Sequence, residues 1–258
     1  MKITNRISKD KNLSDDDFFA LSMILELHTT AEISYINSAM LQAQFYKYAS
    51  KTNRIRLRSK IEQSLQRLAD LGYIFKDPNY ATGYFCDMKD LNSPNKEFSG
   101  YHYYHPGAIY KICRINGVNH AKMWRMYTYF LPHAIYTFAN KEMNNKICVF
   151  NCAKYTNSHD GMCYNTLQKY LSLMADNGLI CYVTYQFQDS YYGHPYKIVA
   201  YKGDENYIKA YVSTNPKVPF ESMEYKEIPE YEKSELDLSD LDIDGFALPE
   251  LDFGADFG

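Results

Sequence analysis

The sequence predicts an α+β fold made of two copies of one module of helices and short strands, followed by a disordered acidic tail. Three observations carry this reading. A helix-to-strand junction occurs twice, at a constant offset of 106 residues. Each junction is preceded by an amphipathic helix and closed by a glycine. The charge is also split. The formal charge of the 258 residues is −3, but from Glu221 onward there are thirteen acids against two bases, Lys226 and Lys233. That segment carries −11, and residues 1–220 carry +8. A basic body with an acidic tail points to a nucleic-acid partner or an interaction tail.

The first helix starts at Ser14, a good N-cap, with Asp15, Asp16 and Asp17 at the positive end of its dipole. Phe18, Leu21, Ile24 or Leu25, and His28 fall at helical spacing. Residues Ala31 to Asn37 alternate weakly and read as a short strand or a loop. Ser38 to Tyr48 reads as a second short helix, with Met40, Leu41, Phe45 and Tyr48 on one face. A basic stretch without an acid follows, Lys47, Lys51, Arg54, Arg56, Arg58 and Lys60. It runs into a helix whose stripe is Leu57, Ile61, Leu65 and Leu68. Gly72 closes that helix, and Tyr73, Ile74 and Phe75 begin a strand broken by Asp77-Pro78-Asn79. Asn79 to Gly107, rich in turn residues and scattered aromatics, reads as an irregular wing or linker with no compact hairpin.

The second copy begins with a helix from Asn119 to Asn140, bent or interrupted at Pro132. A short strand around Ile147 and Val149 follows. Gly161 to Asn177 reads as a helix with the stripe Cys163, Leu167, Leu171 and Met174. It stops at Gly178. Two strands come next, Leu179 to Phe187 and His194 to Lys202, turning at Gln188-Asp189-Ser190 or at Tyr192-Gly193. The predicted boundaries are therefore 1–78 for the first module, 79–118 for a long wing or linker, 119–203 for the second module, and 204–258 for a linker and the tail.

The repeat is plainest at the two junctions. Leu65-Gln66-Arg67-Leu68-Ala69-Asp70-Leu71-Gly72-Tyr73-Ile74 aligns with Leu171-Ser172-Leu173-Met174-Ala175-Asp176-Asn177-Gly178-Leu179-Ile180. Two copies of helix, short strand, helix, helix, glycine stop and two strands say more than either copy alone. This order resembles the winged-helix family, a helix-turn-helix variant with a β-hairpin wing. The resemblance rests on the junctions Leu65–Phe75 and Leu171–Tyr182 and covers most of residues 13–202. The segment from Asn79 to Gly107 departs from it.

The resemblance implies that the third helix of each module enters the major groove, with the N-terminal part of that helix facing base edges. In the first module this region holds Lys51, Arg54, Arg56, Arg58, Ser59, Lys60 and Gln63. Arg can read guanine, Gln can read adenine, and Lys suits phosphates. In the second module the matching face holds Asn157, Ser158, Tyr164, Asn165, Gln168 and Lys169, which is polar and mildly basic. The second wing offers Tyr191, Tyr192 and Lys197. Tandem modules of this kind without an enzymatic domain resemble replication initiators of plasmids and phages and regulators of mobile elements. No initiator-specific motif is present, so only the module architecture carries over.

The tail alternates acids with single hydrophobes, including Leu238, Leu241, Phe246, Leu251, Phe253 and Phe257. That composition suits a disordered segment that docks on a protein partner. The abundance of tyrosine, 26 residues, also fits an AT-rich coding sequence.

Several function classes are disfavoured. No GxxxxGK or GxGxxG loop and no GxSxG elbow occurs, so neither ATP hydrolysis nor serine-hydrolase chemistry is expected. His102 and His105, three apart with two tyrosines between, do not have the spacing of a rolling-circle nickase's metal-binding His pair, and no acidic sheet pattern surrounds them. Cys148, Cys152, His159 and Cys163 have zinc-compatible types, but their spacing matches no common knuckle, and structural thiols are the better reading. No run approaches the roughly 18 apolar residues of a membrane helix. With no signal peptide visible, the six cysteines read as reduced thiols and the location as cytoplasmic. The expectation is a non-enzymatic protein without cofactor or metal that binds double-stranded DNA as a replication initiator or transcriptional regulator. Its tail recruits a protein partner, and a homodimer stays open. The alternative is a protein-interaction adaptor that uses the same modules without DNA.

Overall fold

The computed structural model describes residues 2–27, 33–47, 51–93, 101–130, 147–152, 155–156, 162–185 and 196–214. The chain divides into two units, Met1–Met223 and Glu224–Gly258, and the architecture below belongs to the first. It is mixed α and β with three small antiparallel sheets among the described residues.

The chain opens with β1 (Lys2–Thr4) and a single helical turn, α1 (Asn5–Ser8). The polar N-terminus hides this in sequence, yet Ile3 and Ile7 are fully buried. Helix α2 (Asp15–Leu27) starts where Ser14 predicts. The Ser14 hydroxyl accepts from the Asp17 amide at 3.2 Å, and the Ser14 amide donates back to the Asp17 carboxylate at 3.0 Å. This reciprocal cap satisfies two orphan donors of the first turn. Strand β2 (Ile33–Ile36) and helix α3 (Ser38–Phe45) follow, the latter capped by the Asn37 side chain.

Helix α4 (Lys51–Asp70) buries Ile61, Leu65 and Leu68 against α2 and α3. It ends in a two-bond cap around Gly72, at φ +77°. The Tyr73 amide donates to Leu68 O at 2.9 Å and the Gly72 amide to Ala69 O at 3.0 Å. A left-handed residue is needed there, and glycine takes it without a Cβ clash. The chain then enters β3 (Phe75–Lys76) and β4 (Tyr84–Asp87), which pair with β2 in the order β2-β4-β3.

The segment expected to be irregular, 79–107, is structured at both ends. Asp77-Pro78-Asn79 is a hairpin turn between β3 and β4, tied by an Asn79 amide to Asp77 Oδ1 bond of 2.8 Å. A compact hairpin therefore exists where none was expected. After it come α5 (Met88–Leu91), β5 (Tyr101–Tyr103), which pairs with β1, and α6 (Ala108–Arg114). Pairing across about a hundred residues leaves no local trace in a short polar segment.

Helix α7 (His120–Tyr129) is capped by Asn119; Pro132 and the rest of the helix expected up to Asn140 lie outside the described residues. Strand β6 (Ile147–Asn151), helix α8 (Tyr164–Asp176) and strands β7 (Ile180–Tyr185) and β8 (Tyr196–Tyr201) complete the second copy, with sheet order β6-β8-β7. Both sheets thus have the strand between helices paired to the last strand of a hairpin. The 106-residue offset holds to the hydrogen bond: Leu179 donates to Met174 O and Gly178 to Ala175 O, each at 2.9 Å, with Gly178 at φ +62°.

Two further expectations are corrected. Residues from 204 onward do not begin as a linker, because α9 (Glu205–Thr214) packs Tyr207, Ile208 and Tyr211 on the outer face of the second sheet. The divisions at 78 and 118 also cut through a single hydrophobic core that runs from Ile3 to Tyr201. Trp124 of α7 sits at its centre and donates to Ser22 Oγ at 2.8 Å. Tyr201 of β8 donates to Tyr127 O at 3.2 Å, which ties the second sheet to α7.

Candidate nucleic-acid interface

Helix α4 is anchored by its C-terminal half and projects by its N-terminal half. Asn53, Arg54, Ile55, Arg56, Arg58, Ser59, Lys60 and Gln63 are all exposed, and Ile55 keeps 67% of its surface in contact with solvent. The apolar stripe that buries Ile61, Leu65 and Leu68 fades at Leu57, which is half-buried, so both sides of the first turns face outward. Glu62 accepts from the Tyr84 hydroxyl at 3.1 Å and fixes α4 against the hairpin.

The charges on α4 sort by position. Toward its middle and end, the acids of α2 engage them: Lys60 lies 4.0 Å from Asp16, and Arg67 lies 3.3 Å from the buried Asp17. The first pair is half-exposed on both sides and binds weakly. Nearer the start, no described carboxylate lies within ion-pair distance of Arg54, Arg56 or Arg58. Three guanidiniums on an exposed helical end, with no described acid paired to them, form a cluster of one sign. Lys51 belongs to this helix by its backbone.

Arg56 and Lys60 also form one wall of a cleft of about 690 Å³. The turn from Arg114 to His120 lines its other side, and Phe19 and Met23 of α2 add apolar lining. The sequence offered no sign of that side, because Arg114 and His120 reach α4 only through the packing of α6 and α7. His120 pins the turn. Its Nε2 donates to Ile115 O at 2.8 Å, and its Nδ1 accepts from the Tyr46 hydroxyl at 3.3 Å. Burial, aided by the nearby Lys60 charge, holds the imidazole below its ordinary pKa.

The second repeat contributes differently. Tyr164 and Asn165 are exposed at the start of α8, and Gln168 is half-buried with an Nε2 that meets no partner among the described residues. Lys169 is exposed, but its Nζ donates to Gly117 O at 3.0 Å, and the neighbouring Tyr170 hydroxyl accepts from the Asn119 amide at 3.0 Å. Those two residues hold α8 to the same turn that walls the cleft.

Lys197 does not belong to an exposed wing. It is only 3% exposed, bonded to the Thr184 hydroxyl and set 5.0 Å from the Tyr182 ring centroid. The reason is strand parity: Lys197 alternates with Ile198, whose side chain takes the outer face, so the lysine turns inward. Cys163 is also corrected. It is the exposed N-cap of α8, and the buried stripe is Leu167, Tyr170, Leu171 and Met174. Cys148 and Cys152 are buried, with burial pushing their thiols up to about 12 and about 11. Among the described residues no group of His, Cys, Asp and Glu is placed to hold a metal.

Asn157, Ser158, His159, Tyr191 and Tyr192 lie outside the described residues, as do Leu238, Leu241, Phe246, Leu251, Phe253 and Phe257 of the tail. Among the described residues no helix is long and apolar enough to cross a membrane. Comparison with known proteins gave no match to a family model, a curated protein or a solved structure.

Proposed function

We propose that this chain is a double-stranded DNA-binding protein built on two tandem winged-helix modules, serving as a replication initiator or a transcriptional regulator. The observation that carries the reading is the projecting half of α4, with Arg54, Arg56 and Arg58 exposed and, among the described residues, within ion-pair distance of no carboxylate. A helix presented this way fits a major groove, with its N-terminal residues at base edges and its lysines at phosphates. In each repeat a helix and a strand precede the helix that ends at the glycine stop, a hairpin follows, and the first strand pairs with the last, which supports the module assignment. Under this reading the first repeat supplies most of the affinity, because Lys169 and Lys197 of the second are occupied within the protein. The acidic segment from Glu221 recruits a protein partner.

Fluorescence anisotropy of the full chain with labelled duplex DNA, at low and moderate salt, tests the proposal. Binding that weakens steeply with salt is expected. Failure to bind any duplex at low salt overturns it. The engaged cations of the second repeat favour one other reading, an adaptor whose modules hold proteins, and that reading predicts partner capture unaffected by nuclease.

A further inference from the structure

The cleft beside α4 is lined by two kinds of side chain, and they sort by burial. Phe19, Met23, Phe45 and Ile61 are all buried. Arg56, Lys60 and Arg114 are exposed, and they bring three cations to the cleft against one described carboxylate, Asp16. That carboxylate reaches Lys60 only at 4.0 Å, with both groups half-exposed, so the pair is weak and an incoming anion displaces it readily. Ser64, one turn beyond Lys60 on α4, also lines the cleft. It is 4% exposed, and its hydroxyl has no hydrogen-bond partner among the described residues. Buried hydroxyls are nearly always bonded, so this one is placed for an atom that enters the cleft. The volume of about 690 Å³ falls in the range of small-molecule sites.

We infer that this cleft binds a nucleoside monophosphate. The phosphate meets Arg56, Lys60 and Arg114, the base lies among the buried apolar side chains, and a polar edge of the base meets Ser64. Each part of the lining calls for a different part of the ligand. Guanidiniums grip phosphate through pairs of charge-assisted hydrogen bonds, and a lysine adds a point charge. A flat heterocycle suits apolar and aromatic lining and still carries the hydrogen-bonding atoms that a buried hydroxyl requires. An alkyl carboxylate satisfies the cations and the apolar lining but leaves Ser64 without a partner. Inorganic phosphate satisfies the cations alone. Arg56 and Lys60 belong also to the projecting face of α4, so the nucleotide and a duplex compete for them. That competition rests on the DNA-binding reading; the nucleotide site itself does not.

Isothermal titration calorimetry of the full chain, without DNA, against AMP, GMP, CMP and TMP tests the site. At least one is expected to bind in the micromolar range, roughly tenfold or more tightly than inorganic phosphate or octanoate. Arg114→Ala, at an exposed position, weakens that binding by about tenfold, as expected for a charge-assisted contact. Ser64→Ala weakens it by about fivefold with the thermal midpoint retained. Lys89→Ala, at an exposed cation outside the cleft, leaves it unchanged. No binding of any of the four at millimolar concentration overturns the inference. So does phosphate binding as tight as nucleotide binding, which marks a simple anion site, and so does binding of octanoate alone. Affinity that either Arg114→Ala or Ser64→Ala leaves unmoved overturns it as well. Saturating nucleotide is then added to the duplex-binding assay, and duplex affinity should fall by about tenfold, as for the loss of a shared charged contact. Undiminished duplex affinity overturns the competition. Nucleotide binding by a chain that binds no duplex supports the site and overturns the DNA-binding reading alone.

Discussion

The sharpest consequence of the proposed DNA interface is a salt slope that can be counted. Replacing Arg54, Arg56 and Arg58 together by alanine removes three exposed guanidiniums that no described carboxylate neutralises. The substitutions fall on the solvent side of α4, and alanine suits a helix, so the fold should hold. Each cation that neutralises a phosphate contributes about 0.9 to the slope of log K against log salt. If all three reach phosphates, the slope falls by about 2.7; if one reads a base edge instead, it falls by about 1.8 and sequence preference relaxes. Over a fourfold change of salt, the larger figure makes the gap between wild type and variant shrink by about 1.6 log units. Duplex-binding isotherms at four or more salt concentrations measure it. Lys169→Ala is the internal comparison. Its ammonium is held by Gly117 O, so the slope should change by well under one unit. A triple variant with the wild-type slope, or a Lys169 effect as large, refutes the placement of the interface on α4.

Three other outcomes follow from the geometry. Gly72→Ala and Gly178→Ala place a side chain at positive φ in the repeated caps, and each should destabilise the fold by about 1–2 kcal/mol in urea unfolding, with Asn tolerated better than Ala. Gly178 has an added neighbour, the Lys202 side chain 3.2 Å from the Cβ position, but its flexible end can move away. His120 has a folded-state pKa below its ordinary value, so the unfolded chain takes up a proton that the folded chain refuses. Stability therefore falls as pH drops through about 6.5, and His120→Gln should flatten that part of the thermal-midpoint profile. Removing residues 221–258 takes away thirteen acids and two bases, so it should tighten non-specific duplex binding at low salt. Unchanged affinity on truncation removes self-inhibition as a role of the tail.

Local chemistry was legible in the chain, and its success has a common cause. The Ser14 cap and the two glycine stops depend on residues within a few positions of one another, as do the Asn37 and Asn119 caps that the structure adds. The structure closes them with bonds that span three to five residues. The internal repeat was readable because it is built from those same local signals. Arg54, Arg56 and Arg58 were readable as an exposed face because their segment contains no acid.

Tertiary structure decided the rest, wherever a partner lay far along the chain. Ile3 and Ile7 lie in a polar stretch without local pattern, and both are buried where β5, about a hundred residues away, pairs with β1. Lys169 and Lys197 looked as available as Arg56. One is held by the carbonyl of Gly117, and strand parity buries the other. Sequence separates a module from its neighbour by its punctuation, whereas Trp124 and Tyr201 join both repeats to one core. The composition set the charge and the periodicity of each element. Which cations of the described residues are held within the protein follows only from long-range packing, because it depends on what lies across the fold.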